Sequence, residues 1–88
     1  MIIKFDKPVY ETTWTGNVDR ILSYDTDRMK FTVQDVKTGK IREHMTNIDA
    51  LYVSNSHEPY SNHNRKEVIK YMIECGLPTR TIDRLLYI

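Results

Sequence analysis

The chain has 88 residues, of which 40% are hydrophobic and 28% are charged. This length and balance predict one compact domain and exclude collagen-like, low-complexity and disulfide-scaffold proteins. With 13 basic and 12 acidic residues the net charge is +1, so no whole-molecule field attracts nucleic acid or an acidic membrane. A core of this size leaves no room for a large substrate cavity. We therefore do not expect an enzyme.

The sequence contains one cysteine, Cys75. A single cysteine forms no intramolecular disulfide, and residues 1–5 do not have the pattern of a secretion signal, so we expect a cytoplasmic protein. The sequence contains no apolar stretch near the ~20 residues that cross a bilayer. We therefore expect no membrane partner.

Residues 1–54 are predicted to form a five-stranded antiparallel SH3-like barrel or bent sheet, because their apolar residues recur with a period close to two. The first strand covers residues 2–5 and stops before Pro8, which has no backbone N–H for a ladder bond. The second strand runs from Trp14 to Tyr24. Together with the helices described below, these strands predict an α+β fold.

The clearest strand signal is the alternation of Met29, Phe31 and Val33 with polar residues, which predicts that these three side chains face the core. A turn follows, in which Gly39 is free to adopt positive φ. The remaining strands are predicted at residues 41–45 and 50–53, with a single helical turn at 46–49.

A local motif occurs within residues 16–36. It consists of Gly16-Asn17-Val18, Ile21-Leu22-Ser23-Tyr24-Asp25, Met29-Lys30 and Gln34-Asp35-Val36. This motif resembles the first motif of the Sm-like proteins, which belong to the SH3-like barrels. The resemblance implies the barrel topology. It does not extend to a second Sm motif, so it implies no RNA-binding residues.

Residues 55–64 are polar and contain a proline, which predicts a connecting loop. Beyond this loop the apolar period changes to 3.6, which predicts a helical hairpin over residues 65–88. Gly76 is placed to end the first helix in a left-handed cap, and Thr79 to cap the start of the second. The predicted apolar faces are Val68, Ile69, Met72 and Ile73 in the first helix and Ile82, Leu85 and Leu86 in the second.

The spacing of this hairpin is similar to that of the helix-turn-helix family, and the matching residues are Gly76, Leu77, Thr81 and Ile82. The resemblance implies that polar residues of the second helix contact base edges. The alternative is a hairpin that only caps the sheet. For the DNA-binding alternative, the candidate residues are Thr79, Arg80, Arg84, Lys66 and Lys70.

A second set of candidates lies along one face of the second helix. Arg80, Asp83, Arg84 and Tyr87 follow the spacing i, i+3, i+4 and i+7, which predicts an exposed strip opposite the apolar face. Arginine and tyrosine are common anchors of protein interfaces. A solvated face of internal ion pairs is the alternative.

The sequence contains six tyrosines, more than a core of this size buries with satisfied hydroxyls. We therefore expect some aromatic rings at the surface, with Tyr10, Trp14, Tyr60 and Tyr87 as candidates. The alternative for Trp14 and Tyr24 is an ordinary place in the core. The predicted residues of a protein interface are therefore Arg80, Asp83, Arg84, Tyr87, Tyr60 and Tyr10.

We expect no metal, cofactor or catalytic residues. The positions of His44, His57, His63 and Cys75 match no zinc-ligand spacing, and no orienting group identifies Cys75 as a nucleophile. Asp25 and Asp27 lie on a predicted turn, where aspartates usually bond their own backbone.

These observations predict a small non-enzymatic binding module that acts stoichiometrically on a protein partner, as a regulator or inhibitor. From its size and aromatic content we expect an adaptor or an inhibitor of the kind that a phage or mobile element encodes. The alternative is a DNA-binding regulator that uses the helical hairpin. A homodimer formed through the sheet is a further alternative for the partner.

Overall fold

The computed structural model describes residues 1–46, 48–53 and 65–86. Six antiparallel strands are followed by two helices, which confirms the α+β class and the order of its parts. The strands are β1 (Ile2–Lys4), β2 (Val9–Thr12), β3 (Val18–Asp25), β4 (Lys30–Asp35), β5 (Ile41–His44) and β6 (Leu51–Val53). A 3₁₀ turn spans Ile48–Ala50, and the helices are α1 (Arg65–Glu74) and α2 (Thr79–Leu86). The predicted loop at 55–64 lies outside the described residues.

The strands form one sheet in the order β5-β4-β3-β2-β6, and β1 pairs separately with β3. Among the described strands, β5 and β6 are the two outer ones, so the sheet is bent and not closed.

The strand missing from the sequence prediction is β2. Pro8 precedes this strand and interrupts no ladder bond. Val9, Tyr10 and Glu11 are all buried, so β2 shows no alternation that a sequence pattern could detect.

The central strand β3 pairs with β2 along its first half, with β1 along its second half and with β4 along both. Between Ile21 and Ser23 the register with β4 shifts, which is a β-bulge. The buried residues of β3 are accordingly Asp19, Ile21 and Tyr24, spaced by two and then by three. The bulge thus returns the buried side chains to one face of the sheet.

The turn between β4 and β5 is built on Asp35. Its Oδ1 accepts the backbone N–H groups of Lys37 at 2.8 Å and Thr38 at 2.9 Å. Gly39 follows with φ of +78°, as the sequence predicts.

The turn between β3 and β4 is built in the same way on Asp25, whose Oδ1 accepts the backbone N–H groups of Asp27 and Arg28. The prediction that Asp25 bonds its own backbone is confirmed. Met29 lies in this turn with φ of +56°, and β4 begins only at Lys30. The prediction that Met29 starts the strand was therefore wrong.

The left-handed cap of helix α1 lies at Gly76 as predicted, with φ of +102°. The Gly76 N–H donates to the Ile73 carbonyl at 2.9 Å, and the Leu77 N–H donates to the Met72 carbonyl at 3.0 Å. This pair of bonds is a Schellman motif. Leu77 and Met72 are both buried in the core, so the cap also closes an apolar contact.

Helix α2 begins at Thr79, directly after its N-cap residue. The Pro78 carbonyl accepts the N–H groups of Thr81 at 3.0 Å and Ile82 at 3.1 Å, which places Pro78 at the N-cap. The prediction that Thr79 is the cap was therefore wrong. The buried face of α1 is narrower than the sequence predicts. Ile73 was placed on that face, but its side chain is more than half exposed.

The sheet and both helices share one hydrophobic core. Phe31 stacks on Phe5 with ring centroids 6.3 Å apart, and Tyr24 packs against Phe31 at 4.6 Å. Helix α1 contributes Val68 and Met72 to the same core. Neither described helix has the length and apolar character that crossing a bilayer requires.

A bidentate ion pair holds the start of α1 against the 3₁₀ turn. The Nε and Nη2 atoms of Arg65 donate to the two carboxylate oxygens of Asp49 at 2.8 and 2.6 Å. The ion pair thus joins the first residue of α1 to the 3₁₀ turn.

Replacement of Phe31 by alanine should lower the free energy of unfolding by about 3–5 kcal/mol, because it removes a buried ring that contacts Phe5 and Tyr24. Thr32→Ala on the opposite face of β4 is the control and should cost less than about 1 kcal/mol. Urea unfolding followed by circular dichroism measures both. Equal losses in the two variants would contradict the observed orientation of β4.

Candidate charged cleft and the exposed tryptophan

An open cleft of about 440 Å³ lies beside the sheet, next to the turn between β2 and β3. Strands β2 to β5 each contribute charged side chains to its lining, and the turn contributes threonines and Trp14. The charged residues of the lining are Glu11, Asp19, Asp35, Arg42 and His44. This cleft was not among the sites that the sequence predicted.

Three of the carboxylates lie opposite one another on adjacent strands. In the strand register Glu11 is paired with Asp19, and Asp19 is paired with Asp35. Residues directly opposite in an antiparallel pair point to the same face, and like charges in this position repel. The row is therefore destabilising unless cations compensate it.

Arg42 of β5 provides one such cation, and His44 of the same strand lies against the other buried carboxylate. The Arg42 Nη2 atom donates to Asp19 Oδ2 at 2.5 Å, and the His44 Nε2 atom lies 2.9 Å from Glu11 Oε1. Arg42 and His44 are two positions apart on the strand, so both reach the same face. Both carboxylates are deeply buried, with Asp19 at 2% exposure and Glu11 at 4%.

The compensation is incomplete. Glu11 Oε2 and Arg42 Nη1 are buried and have no hydrogen-bond partner among the described residues. Burial raises the pKa of Asp19, and the charge of Arg42 opposes that shift. Backbone N–H groups of Thr38 and Lys37 instead lower the pKa of Asp35, which stays ionised at neutral pH. Three carboxylates thus face one permanent cation and one imidazole.

The single tryptophan of the chain stands beside these charges, on the turn between β2 and β3. The Gly16 N–H donates to the Thr13 carbonyl at 2.9 Å, and Gly16 has φ of +91°. Trp14 occupies the tip of this turn and is 96% exposed. Its prediction as a surface aromatic is confirmed, and the alternative of a core position was wrong. The adjacent Gly16-Asn17 pair is a turn signal that could have located it.

The predicted strip on α2 is exposed at its three described members, Arg80, Asp83 and Arg84. No salt bridge joins Asp83 to either arginine within the described part of the chain, so the ion-paired alternative is not observed there. The fourth member, Tyr87, lies outside the described residues. The other DNA-contact candidates, Thr79, Lys66 and Lys70, are also exposed.

Tyr10 is 3% exposed, so its prediction as a surface residue was wrong. Its strand lies between β3 and β6, and its ring packs against Tyr52 of β6 with centroids 6.0 Å apart. Tyr24 is buried in the core, which confirms the core alternative for that residue. Tyr60 lies outside the described residues.

Among residues 1–46, 48–53 and 65–86, no group of three or more histidine, cysteine, aspartate or glutamate side chains is arranged to hold a metal ion. His57 and His63 lie outside these ranges. The Cys75 thiol lies 3.5 Å from Asp6 Oδ1, and burial raises its pKa. A thiol in this state is a weak nucleophile at neutral pH.

No family model, curated protein or solved structure matches the chain. Three surface features can therefore indicate a function: the charged cleft, Trp14 and the strip on α2.

Replacement of Arg42 by methionine should lower the free energy of unfolding by about 2–3 kcal/mol, because it leaves buried Asp19 without its cation. The loss falls below the ~3–5 kcal/mol of a fully buried pair since the Arg42 side chain is 39% exposed. Adding Asp19→Asn to the Arg42→Met variant should recover about half or more of the lost free energy of unfolding, because the remaining buried side chain is then neutral. Urea unfolding of the single and double variants measures the coupling.

Arg28→Met is the matched control, since Arg28 forms an exposed ion pair with Glu43 at 2.7 Å. Its effect should be much smaller than that of Arg42→Met, because water screens an exposed ion pair. An Arg42→Met protein as stable as the Arg28→Met protein would contradict the role assigned to the Asp19 ion pair.

Proposed function

We propose that the protein is a non-enzymatic binding module that docks stoichiometrically on a protein partner. The observation that carries this proposal is the 96% exposure of Trp14 at the side of a charged cleft. Tryptophan is enriched among the residues that dominate binding energy at protein interfaces. Backbone hydrogen bonds fix the turn that presents the ring, so the backbone of the turn loses little conformational freedom when a partner covers it.

The state of the reactive groups supports binding rather than catalysis. Glu11 and His44 are engaged with each other, and so are Asp19 and Arg42. The Cys75 thiol stays protonated at neutral pH. These charged pairs suit recognition of a complementary surface, where electrostatic matching favours the correct partner.

The strip on α2 is a second surface for the same class of partner. Arg80 and Arg84 are exposed with Asp83 between them, and this mixture of charges matches a protein surface better than a polyanion. We propose that the module regulates or inhibits its partner by covering part of the partner's surface.

Trp14→Ala should leave the free energy of unfolding within about 0.5 kcal/mol of the original value, because the ring makes few contacts in the free protein. The variant should nevertheless fail to form the 1:1 complex with a protein captured by the original chain and then purified. Ile73→Ala, which also shortens an exposed apolar side chain, should retain that complex. Isothermal calorimetry with the purified partner measures all three proteins, and equal affinities would refute the proposal.

The second candidate function is DNA binding through the hairpin of α1 and α2. The observation in its favour is the Schellman turn at Gly76 and Leu77, followed by exposed Arg80 and Arg84. Helix-turn-helix proteins place the second helix of such a hairpin in the major groove.

A gel-shift experiment with random duplex DNA at ~50 mM salt tests this second candidate, because phosphate contacts are strongest at low ionic strength. DNA binding predicts a shift at micromolar protein that Arg84→Glu weakens. Lys37→Glu on the β4–β5 turn changes the net charge equally and should have little effect. The absence of any shift, or equal weakening by both variants, would dismiss DNA binding through the hairpin.

A further inference from the structure

The charged cleft combines two features that point to a cationic ligand. Its lining holds three carboxylates against one guanidinium and one imidazole, so acidic side chains outnumber basic ones. Glu11 is 4% exposed, and its Oε2 atom has no hydrogen-bond partner among the described residues. A buried carboxylate oxygen without a donor is costly, so a bound cation would stabilise this site.

The aromatic ring is the second, independent feature. Trp14 lines the same cleft, and its ring is exposed at the tip of the turn between β2 and β3. Among aromatic side chains tryptophan attracts cations most strongly over its ring face. The cleft therefore offers a cation both carboxylates and a π surface.

We propose that this cleft binds the guanidinium group of an arginine side chain presented by the protein partner, with the ring of Trp14 stacked against it. The inference rests on the proposed protein-binding function and names the chemistry that the partner must present. A guanidinium is planar, stacks on aromatic rings and directs several N–H donors toward carboxylates. An ammonium has no planar face to stack, and the described carboxylates are not arranged to hold a metal ion.

The inference is tested by NMR titration of the full ¹⁵N-labelled chain with the blocked peptide acetyl-Ala-Arg-Ala-amide. The comparison peptides carry lysine or citrulline in place of arginine, and citrulline keeps the shape of arginine without its charge. The arginine peptide should shift the indole N–H of Trp14 and the backbone N–H groups of Glu11 and Asp19. The citrulline peptide should bind at least tenfold more weakly.

Two variants locate the binding. Trp14→Ala should weaken arginine binding about two- to fivefold, which corresponds to the loss of one exposed cation–π contact. Asp35→Asn keeps an oxygen for the turn but loses the charge, and it should weaken binding by a similar factor. Glu67→Gln on α1 is the matched control, because it removes one exposed carboxylate outside the cleft and the strip, and it should leave the affinity unchanged.

The inference is overturned if citrulline or lysine binds as tightly as arginine, or if the shifted resonances lie away from the cleft. Failure of the proposed function is a separate result. A partner complex that depends on Trp14, without recognition of the arginine peptide, would remove the guanidinium assignment and keep the binding module. Arginine recognition in the cleft, without any Trp14-dependent complex, would keep the cleft chemistry and remove the protein partner.

Discussion

The rest of the structure depends on the β-bulge between Ile21 and Ser23 in the central strand. Side chains alternate between the two faces of a strand, so an uninterrupted β3 would turn Asp19 and Tyr24 to opposite sides. The extra residue brings both to one face, where Tyr24 packs in the core and Asp19 lines the cleft. Core and cleft are thus two parts of a single sheet surface.

The charged part of that surface contributes less to stability than an apolar surface would. A buried ion pair such as the one between Asp19 and Arg42 seldom adds more stability than apolar residues of similar size. Here the pair also compensates a repulsive row that includes Glu11 and Asp35. The proposed recognition of a cationic group would give this row and the exposed Trp14 beside it a common role.

Prediction from sequence succeeded where the signal is local. The alternation around Phe31 and the glycine cap at Gly76 both depend on neighbours a few residues away. It failed where packing decides the outcome. Tyr10 is buried with its ring against Tyr52 of the neighbouring strand, and Ile73 is more than half exposed although it follows the apolar spacing of α1. The cap at Pro78 was missed because proline has no side-chain acceptor, and its backbone carbonyl accepts the N–H groups of Thr81 and Ile82.

The amino-acid sequence by itself determined the α+β class, most of the strands, both helices and the two glycine turns, because periodicity and backbone preference act over short distances along the chain. Only the tertiary structure decided the position of β2, the register of the sheet and the charged cleft. Asp19 and Arg42 are 23 residues apart, and strand pairing alone makes them neighbours. No local pattern encodes that contact, because it results from the register of β3, β4 and β5 and the bulge that resets it.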